Sequence, residues 1–152
     1  MKMLVAVDLS ETTGEIVSQV ESITQASAAR LWIVHVAQPK PELLEFDAGE
    51  QAERDFLAHR FRQEHCQIQS IADRLRDRGI EATALLVKGP TAETVLSEAQ
   101  KLQVDMIVVG SRGRKVVSQL LLGSVSQEIL HQSSYPVLVV PAHQPNATME
   151  KM

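Results

Sequence analysis

Five short apolar runs alternate along the chain with segments whose apolar residues recur every three or four positions, and this alternation limits the fold more than any other feature. The runs are rich in Val, Ile and Leu, which is typical of parallel strands covered on both faces. We predict strands at Met3–Val7, Leu31–Val36, Ile80–Val87, Asp105–Val109 and Tyr135–Val140.

The segments between the runs have the periodicity of helices. Ser10 is the expected N-cap of the first helix, and Gly79 is expected to end the longest one in the left-handed conformation. We predict helices from Glu11 to about Ala29, from about Glu50 to Arg78, from about Thr91 to Leu102, and from about Val125 to near Ser133. Strands alternating with helices predict an α/β fold, with a parallel sheet and helices on both of its faces.

The totals favour a single globular domain. With 152 residues the chain is long enough to bury one core, which we place in residues 1–142, followed by a polar tail at 143–152 that we expect to be disordered. A net charge of −4 and only one Trp, one Tyr and three Phe argue against nucleic-acid binding. No apolar run is long enough to span a bilayer, and no signal peptide is visible, so we expect a cytoplasmic protein without membrane insertion.

The candidate site follows from the predicted sheet, because ligands of such sheets bind at the carboxyl ends of the strands, where the strand order reverses. Asp8 ends the first strand, and the segment Gly110–Ser126 joins the fourth strand to a helix. Glycines before a helix start give an anion access to unpaired backbone N–H groups. The segment has neither the lysine of a Walker-type P-loop nor the third glycine of the dinucleotide fingerprint.

The spacing Gly110-x2-Gly113-x9-Gly123-Ser124 is similar to the ATP-binding motif of the universal stress proteins. The resemblance extends over about 140 residues and includes V-A-V-D in the first strand, H-V in the second and Y-P-V-L-V-V in the last. It implies a Rossmann-like, five-stranded sheet in the order 3-2-1-4-5, with ATP bound across strands 1 and 4.

The resemblance also implies roles for particular residues. Asp8 would serve the nucleoside or a bound divalent ion (Mg or Mn), backbone groups of Val36 would meet the adenine edge, and Gly110 would lie against the ribose. The implied phosphate-binding residues are Gly113, Arg114, Gly123, Ser124, Val125 and Ser126. Leu9 stands where many members have glycine, and we expect it to narrow the approach to Asp8.

The resulting hypothesis is an ATP-binding regulatory protein that holds its nucleotide and signals through dimerisation or a protein partner. The resemblance implies a homodimer formed through the last strand, at Val137–Val140. No residue stands out as a catalytic base. One alternative is a dimeric interaction module that binds no nucleotide. Another is a slow ATPase or a self-phosphorylating protein, with Ser124 or Ser126 as the acceptor.

Several of these residues also fit simpler structural roles. Asp8 fits a helix cap beside Ser10, and Gly110 and Gly113 fit a tight turn. His35 follows an apolar strand, which favours a structural role over a catalytic one. A solvated loop is the simpler interpretation of three basic residues, Arg112, Arg114 and Lys115. A zinc site is not supported for His59, His65 and Cys66, because no third ligand follows at metal-binding spacing.

Overall fold

The computed structural model describes residues 1–37, 50–111 and 123–141. Within these residues, strands and helices alternate from end to end. The strands are β1 (Lys2–Ala6), β2 (Arg30–Ala37), β3 (Glu81–Lys88), β4 (Met106–Ser111) and β5 (Val137–Pro141). The helices are α1 (Thr13–Thr24), α2 (Glu50–Asp77), α3 (Thr91–Leu102) and α4 (Ser124–Gln132).

The five strands form one parallel sheet in the order β3-β2-β1-β4-β5. This confirms the α/β fold class and the strand order. Leu4 of the central strand pairs with Trp32 of β2 on one side and with Ile107 of β4 on the other. The strand order therefore reverses between β1 and β4, the place at which parallel sheets bind ligands.

Helices cover both faces of the sheet, as predicted. On one face, Met3, Val5 and Val7 pack with the buried residues of α1 and α2. On the other, Leu4 packs with buried residues of α3 and α4. Successive residues of a strand point to opposite faces, so β1 contributes to both cores.

The second helix is buried over only part of its length. The apolar stripe of α2 recurs at helical spacing and consists of Leu57, Phe61, Ile68, Ala72 and Leu75. The last three are fully buried, whereas Leu57 and Phe61 are half-buried. The packed part of α2 is therefore its second half.

Two helices end in the same hydrogen-bonded motif. After α2, the Ile80 N–H donates to the Leu75 carbonyl at 3.0 Å, and Gly79 has φ +83°. After α3, the Val104 N–H donates to the Ala99 carbonyl at 3.2 Å, and Gln103 has φ +52°. Both are Schellman ends, which need a left-handed residue. The sequence predicted the one at Gly79.

The first helix differs from its prediction at both ends. It begins at Thr13 instead of Glu11 and ends at Thr24 instead of Ala29. Ser10 is not its N-cap, because Ser10 belongs to a turn in which its N–H donates to Asp8 Oδ1 at 2.9 Å. Ile23 lies on the same helical face as the buried Ile16 and Val20, but it is 49% exposed.

Candidate functional site

A cleft opens at the carboxyl ends of β1 and β4, where the strand order reverses. Its polar lining residues are Asp8, Thr12, Ser111 and Ser126, and Gly110 lies among them. The apolar lining residues are Ala6, Val7, Ile16, Val109, Val125 and Ile129. Four elements therefore meet at the cleft, together with the turn that follows β1: β1, β4, α1 and α4.

Asp8 lies on the exposed side of this cleft, just after β1. Its Oδ1 accepts the Ser10 N–H at 2.9 Å, and the hydroxyls of Ser10 and Thr12 lie 2.9 Å apart. A side chain that binds the backbone two residues on is an Asx turn. Asp8 therefore has a local structural role while its carboxylate lines the cleft.

Gly110 has no room for a side chain. A Cβ atom built at this position would meet Ile16 Cδ1 and would lie 3.1 Å from Ile16 Cγ1. The Ser126 hydroxyl donates to the Gly110 carbonyl at 2.9 Å. The glycine therefore lets α1 pack closely on β4, and the serine ties the start of α4 to the end of β4.

The first turn of α4 faces the same cleft through Val125 and Ser126. Gly123 precedes the helix in an extended conformation, with φ −64° and ψ 159°, and no side chain caps the helix start. The first backbone N–H groups of a helix lack partners within the helix and favour a negative charge. The start of α4 thus offers donors to an anion.

The two predicted phosphate acceptors differ in accessibility. Ser124 is exposed at the first position of α4, whereas Ser126 is 6% exposed and its hydroxyl donates to Gly110. Only Ser124 presents an accessible hydroxyl.

The structure brings together some of the predicted residues and not others. Asp8, Gly110, Val125 and Ser126 line the cleft, and Gly123 and Ser124 adjoin it at the start of α4. Val36 is not a lining residue; it is 7% exposed and packs in the α3/α4 core. Gly113 and Arg114 lie outside the described residues, as do Arg112 and Lys115.

Leu9 does not have the position expected for it. It is absent from the lining of the cleft and packs instead against the core between the sheet, α1 and α2. Its φ of +61° is in the left-handed region. The conformation that glycine adopts readily is thus retained here by a leucine.

Seven lining residues were not predicted from the sequence, and Thr12, Ile16 and Ser111 are among them. Thr12 was not identified because the first helix was predicted to begin at Glu11, which placed Thr12 inside the helix. Ile16 has an ordinary place in an apolar helix stripe, and no sequence signal links it to Gly110. Ser111 directly follows Gly110 and could have been named from that position.

The described lining residues enclose about 90 Å³. Ligand pockets usually have about 300–1,000 Å³, so these residues form only part of any nucleotide site. The described residues contain no group of three His, Cys, Asp or Glu side chains that could hold a metal ion. A divalent ion would fit here as magnesium often binds, with one carboxylate, water and ligand phosphates.

A charged pair lies at the opposite edge of the sheet. Arg30 Nε donates to Glu81 Oε2 at 2.7 Å, and this hydrogen bond and the charge of Glu81 raise the pKa of Arg30. The pair connects the first residues of β2 and β3, whereas the cleft lies at the carboxyl ends of the strands.

Among the described residues, no helix has the combination of length and apolar character that crossing a lipid bilayer requires.

Comparison with known proteins gives consistent matches over nearly the whole chain. The sequence model of the Universal stress protein family matches residues 1–141. A universal stress protein of Thermus aquaticus is 32% identical over 144 residues, covering 91% of this chain and 96% of its own. Universal stress protein YxiE of Bacillus subtilis is 28% identical over 144 residues, which cover 91% of this chain and 97% of that protein.

Solved structures agree with this result. The structure of MJ0577, a universal stress protein of Methanocaldococcus jannaschii, superposes with a TM-score of 0.78 at 26% identity, covering 94% of this chain and 96% of the other.

Two more distant structures show a likeness of fold alone. One is a universal stress protein in complex with cAMP, with TM-score 0.64, 23% identity and coverage of 93% and 97%. The other is the Archaeoglobus fulgidus protein in complex with dAMP, with TM-score 0.62, 16% identity and coverage of 92% and 97%.

Proposed function

Because the chain belongs to the universal stress protein family, we propose that it is an ATP-binding regulatory protein that holds its nucleotide across the ends of β1 and β4. The observation that supports this most directly is the cleft at the reversal of strand order. It combines a carboxylate at one end, Asp8, with the start of α4 at the other.

The chemistry of the two ends suits the two ends of a nucleotide. Asp8 is an acceptor for sugar hydroxyls or, through water and phosphates, a partner for Mg²⁺ or Mn²⁺. The first N–H groups of α4 suit phosphate oxygens. Gly110, between them, presents backbone alone. Gly113 and Arg114 complete the proposed phosphate site from the segment outside the described residues.

Relatives support the choice of an adenine nucleotide. Two solved universal stress proteins are complexes with cAMP and dAMP, which share the adenine base and a phosphate. Our proposal extends this ligand class to the present chain and names ATP because of the glycine spacing that continues from Gly110 to Ser124.

The test is titration calorimetry of ATP into the purified protein and into two variants, Gly123→Val and Gly113→Val. We expect ATP binding by the wild type and its loss in both variants, because a branched side chain blocks close approach of phosphate to the backbone. Gly14→Ala is the matched control, since a Cβ added at Gly14 meets no atom within 4 Å. Unchanged ATP affinity in both valine variants would contradict the proposal.

A second measurement separates this proposal from an interaction module that binds no nucleotide. Mass spectrometry of gently denatured protein should detect ATP that was retained during purification. If no nucleotide is retained and none binds on titration, the interaction module is the better interpretation.

We further propose that the protein forms a homodimer through β5. This strand is an edge of the sheet, and its residues Val137, Leu138 and Val139 are only half-buried. An apolar edge strand offers unpaired backbone groups to a second chain.

A further inference from the structure

A chain of polar side chains connects α2 to the end of β1, directly before Asp8. His35 of β2 is 8% exposed, and its Nδ1 lies 3.0 Å from the Val7 carbonyl oxygen. Its Nε2 contacts Glu64 Oε2 of α2. The other oxygen of Glu64 lies 3.4 Å from Arg60 Nε. The sequence suggested a structural role for His35, and these contacts define that role.

Both nitrogens of the His35 ring face groups that only accept hydrogen bonds. A carbonyl oxygen has no proton to give, and neither has a carboxylate. A neutral imidazole carries a single N–H, so it can satisfy the Val7 carbonyl or Glu64 but not both. While Glu64 is a carboxylate, both contacts are hydrogen bonds only when the ring is an imidazolium. Loss of its proton therefore breaks one of the two links between α2 and β1.

In the part of the chain that the structure describes, the other elements around the ring place few charges against it. The partner of His35 in the β3 ladder is Leu86, and the buried residues in the first turns of α1 include Thr13 and Ile16. The charged groups at this end of the sheet include Arg60 and Glu64 on α2, the exposed Asp8 after β1, and Lys88 of β3, whose ammonium lies 4.3 Å from the Phe61 ring centroid.

The Val7 peptide is the point at which this chain reaches the cleft. The Val7 N–H donates to the Val34 carbonyl at 2.9 Å, and the Val7 carbonyl accepts from His35. Val7 and the following residue, Asp8, both line the cleft. The hydrogen bond from His35 therefore holds the peptide that directly precedes Asp8.

We propose that His35 and Glu64 are positioning residues for the nucleotide site, and that nucleotide affinity falls when the His35–Glu64 pair loses its proton. The coupling to affinity rests on the proposed function. The coupling of the pair to Asp8 does not, and it is tested separately.

The first test is a pH titration of the full-length protein by NMR between about pH 5 and pH 9, the range in which histidine usually titrates. The signals are the two His35 ring nitrogens and the Ser10 amide, which reports on Asp8 through its hydrogen bond. We expect both ring nitrogens to be protonated at the acid end, and the Ser10 amide to shift along the same curve as the ring. The inference would be overturned if the ring were neutral over the whole pH range, or if the Ser10 amide shift did not change as the ring titrates.

The second test measures affinity against pH by calorimetry, with cAMP as the probe because its phosphodiester keeps one charge over this range. We expect the wild type to bind at least about fivefold more weakly at the alkaline end, a typical size for coupling between sites. Glu64→Gln should abolish this dependence and keep the affinity of the protonated wild type, because an amide N–H can donate to the Nε2 of a neutral ring. Glu64→Ala should bind weakly at every pH.

Asp77→Asn removes a carboxylate from the other end of the same helix, where it is exposed, and should keep the wild-type profile. A flat wild-type profile, or a Glu64→Gln profile that follows the wild type, would overturn the coupling. If the wild type binds neither cAMP nor ATP, the proposed function fails, and the NMR titration alone decides whether the pair positions Asp8.

Discussion

Gln103 has φ +52° at the end of α3, in the left-handed region that most residues avoid. The hydrogen-bonded motif around it is the same as that around Gly79 at the end of α2. A residue with a Cβ pays about 1–2 kcal/mol of conformational free energy to adopt the left-handed backbone, and a glycine at the same position does not. Glycine, however, also makes the unfolded chain more flexible, and this offsets part of the gain in stability.

We therefore predict that Gln103→Gly raises the free energy of unfolding by about 0.5–1 kcal/mol. Gln103 is exposed, so little packing is lost. Urea denaturation followed by circular dichroism measures the change. The matched control is Gly79→Ala, which should lower stability, since the added Cβ meets no atom within 4 Å and only the backbone conformation opposes it. Lower stability for Gln103→Gly would contradict the prediction.

Leu9 shows why the same substitution cannot be extended to every left-handed residue. Its φ is +61°, but its side chain packs against the core between the sheet, α1 and α2. Replacement by glycine would remove the cost of the left-handed conformation, but it would also remove this packing. The two changes have opposite effects on the free energy of unfolding.

At the scale of elements, β5 is the strand through which we propose that the homodimer forms. The Ile107 N–H of β4 donates to the Pro136 carbonyl at 2.9 Å. In a parallel ladder the residues of one strand turn alternately toward and away from the neighbour. Leu138 therefore bonds toward β4, while the backbone groups of Val137 and Val139 point to the open edge.

We predict that Val139→Pro abolishes the homodimer and leaves the monomer folded, because proline removes an outward N–H without breaking a bond to β4. Light scattering coupled to size-exclusion chromatography measures the mass, and circular dichroism checks the fold. A variant that remains dimeric would show that the edge of β5 is not the interface, and a wild type that is monomeric would refute the dimer itself.

At the scale of the whole molecule, a bound nucleotide should stabilise the fold. Binding to the folded state alone adds about 2.7 kcal/mol at a ligand concentration one hundred times Kd. For a domain of this size, that corresponds to a rise in Tm of about 5–10 °C. Differential scanning calorimetry with and without ATP measures it, and Gly123→Val should show no rise. An equal rise in the variant would indicate binding elsewhere.

The cleft also shows how far the sequence led to the candidate site. Asp8 and Gly110 were identifiable because each follows an apolar strand, and the carboxyl ends of parallel strands share one edge. Ser126 was named through the resemblance, whereas its bond to Gly110 was not predicted. Ile16 was missed altogether, because its contact with Gly110 joins residues far apart in the chain.

By itself, the sequence determined the class of fold and the approximate positions of its elements. Periodicity and left-handed glycines are local properties, and local properties are encoded in neighbouring residues. The order of the strands came from the family resemblance instead. Only the tertiary structure decided where α1 begins, what lies beneath Gly110, and that His35 joins Val7 to Glu64. Each of these depends on side chains brought together from separate elements, which no local pattern specifies.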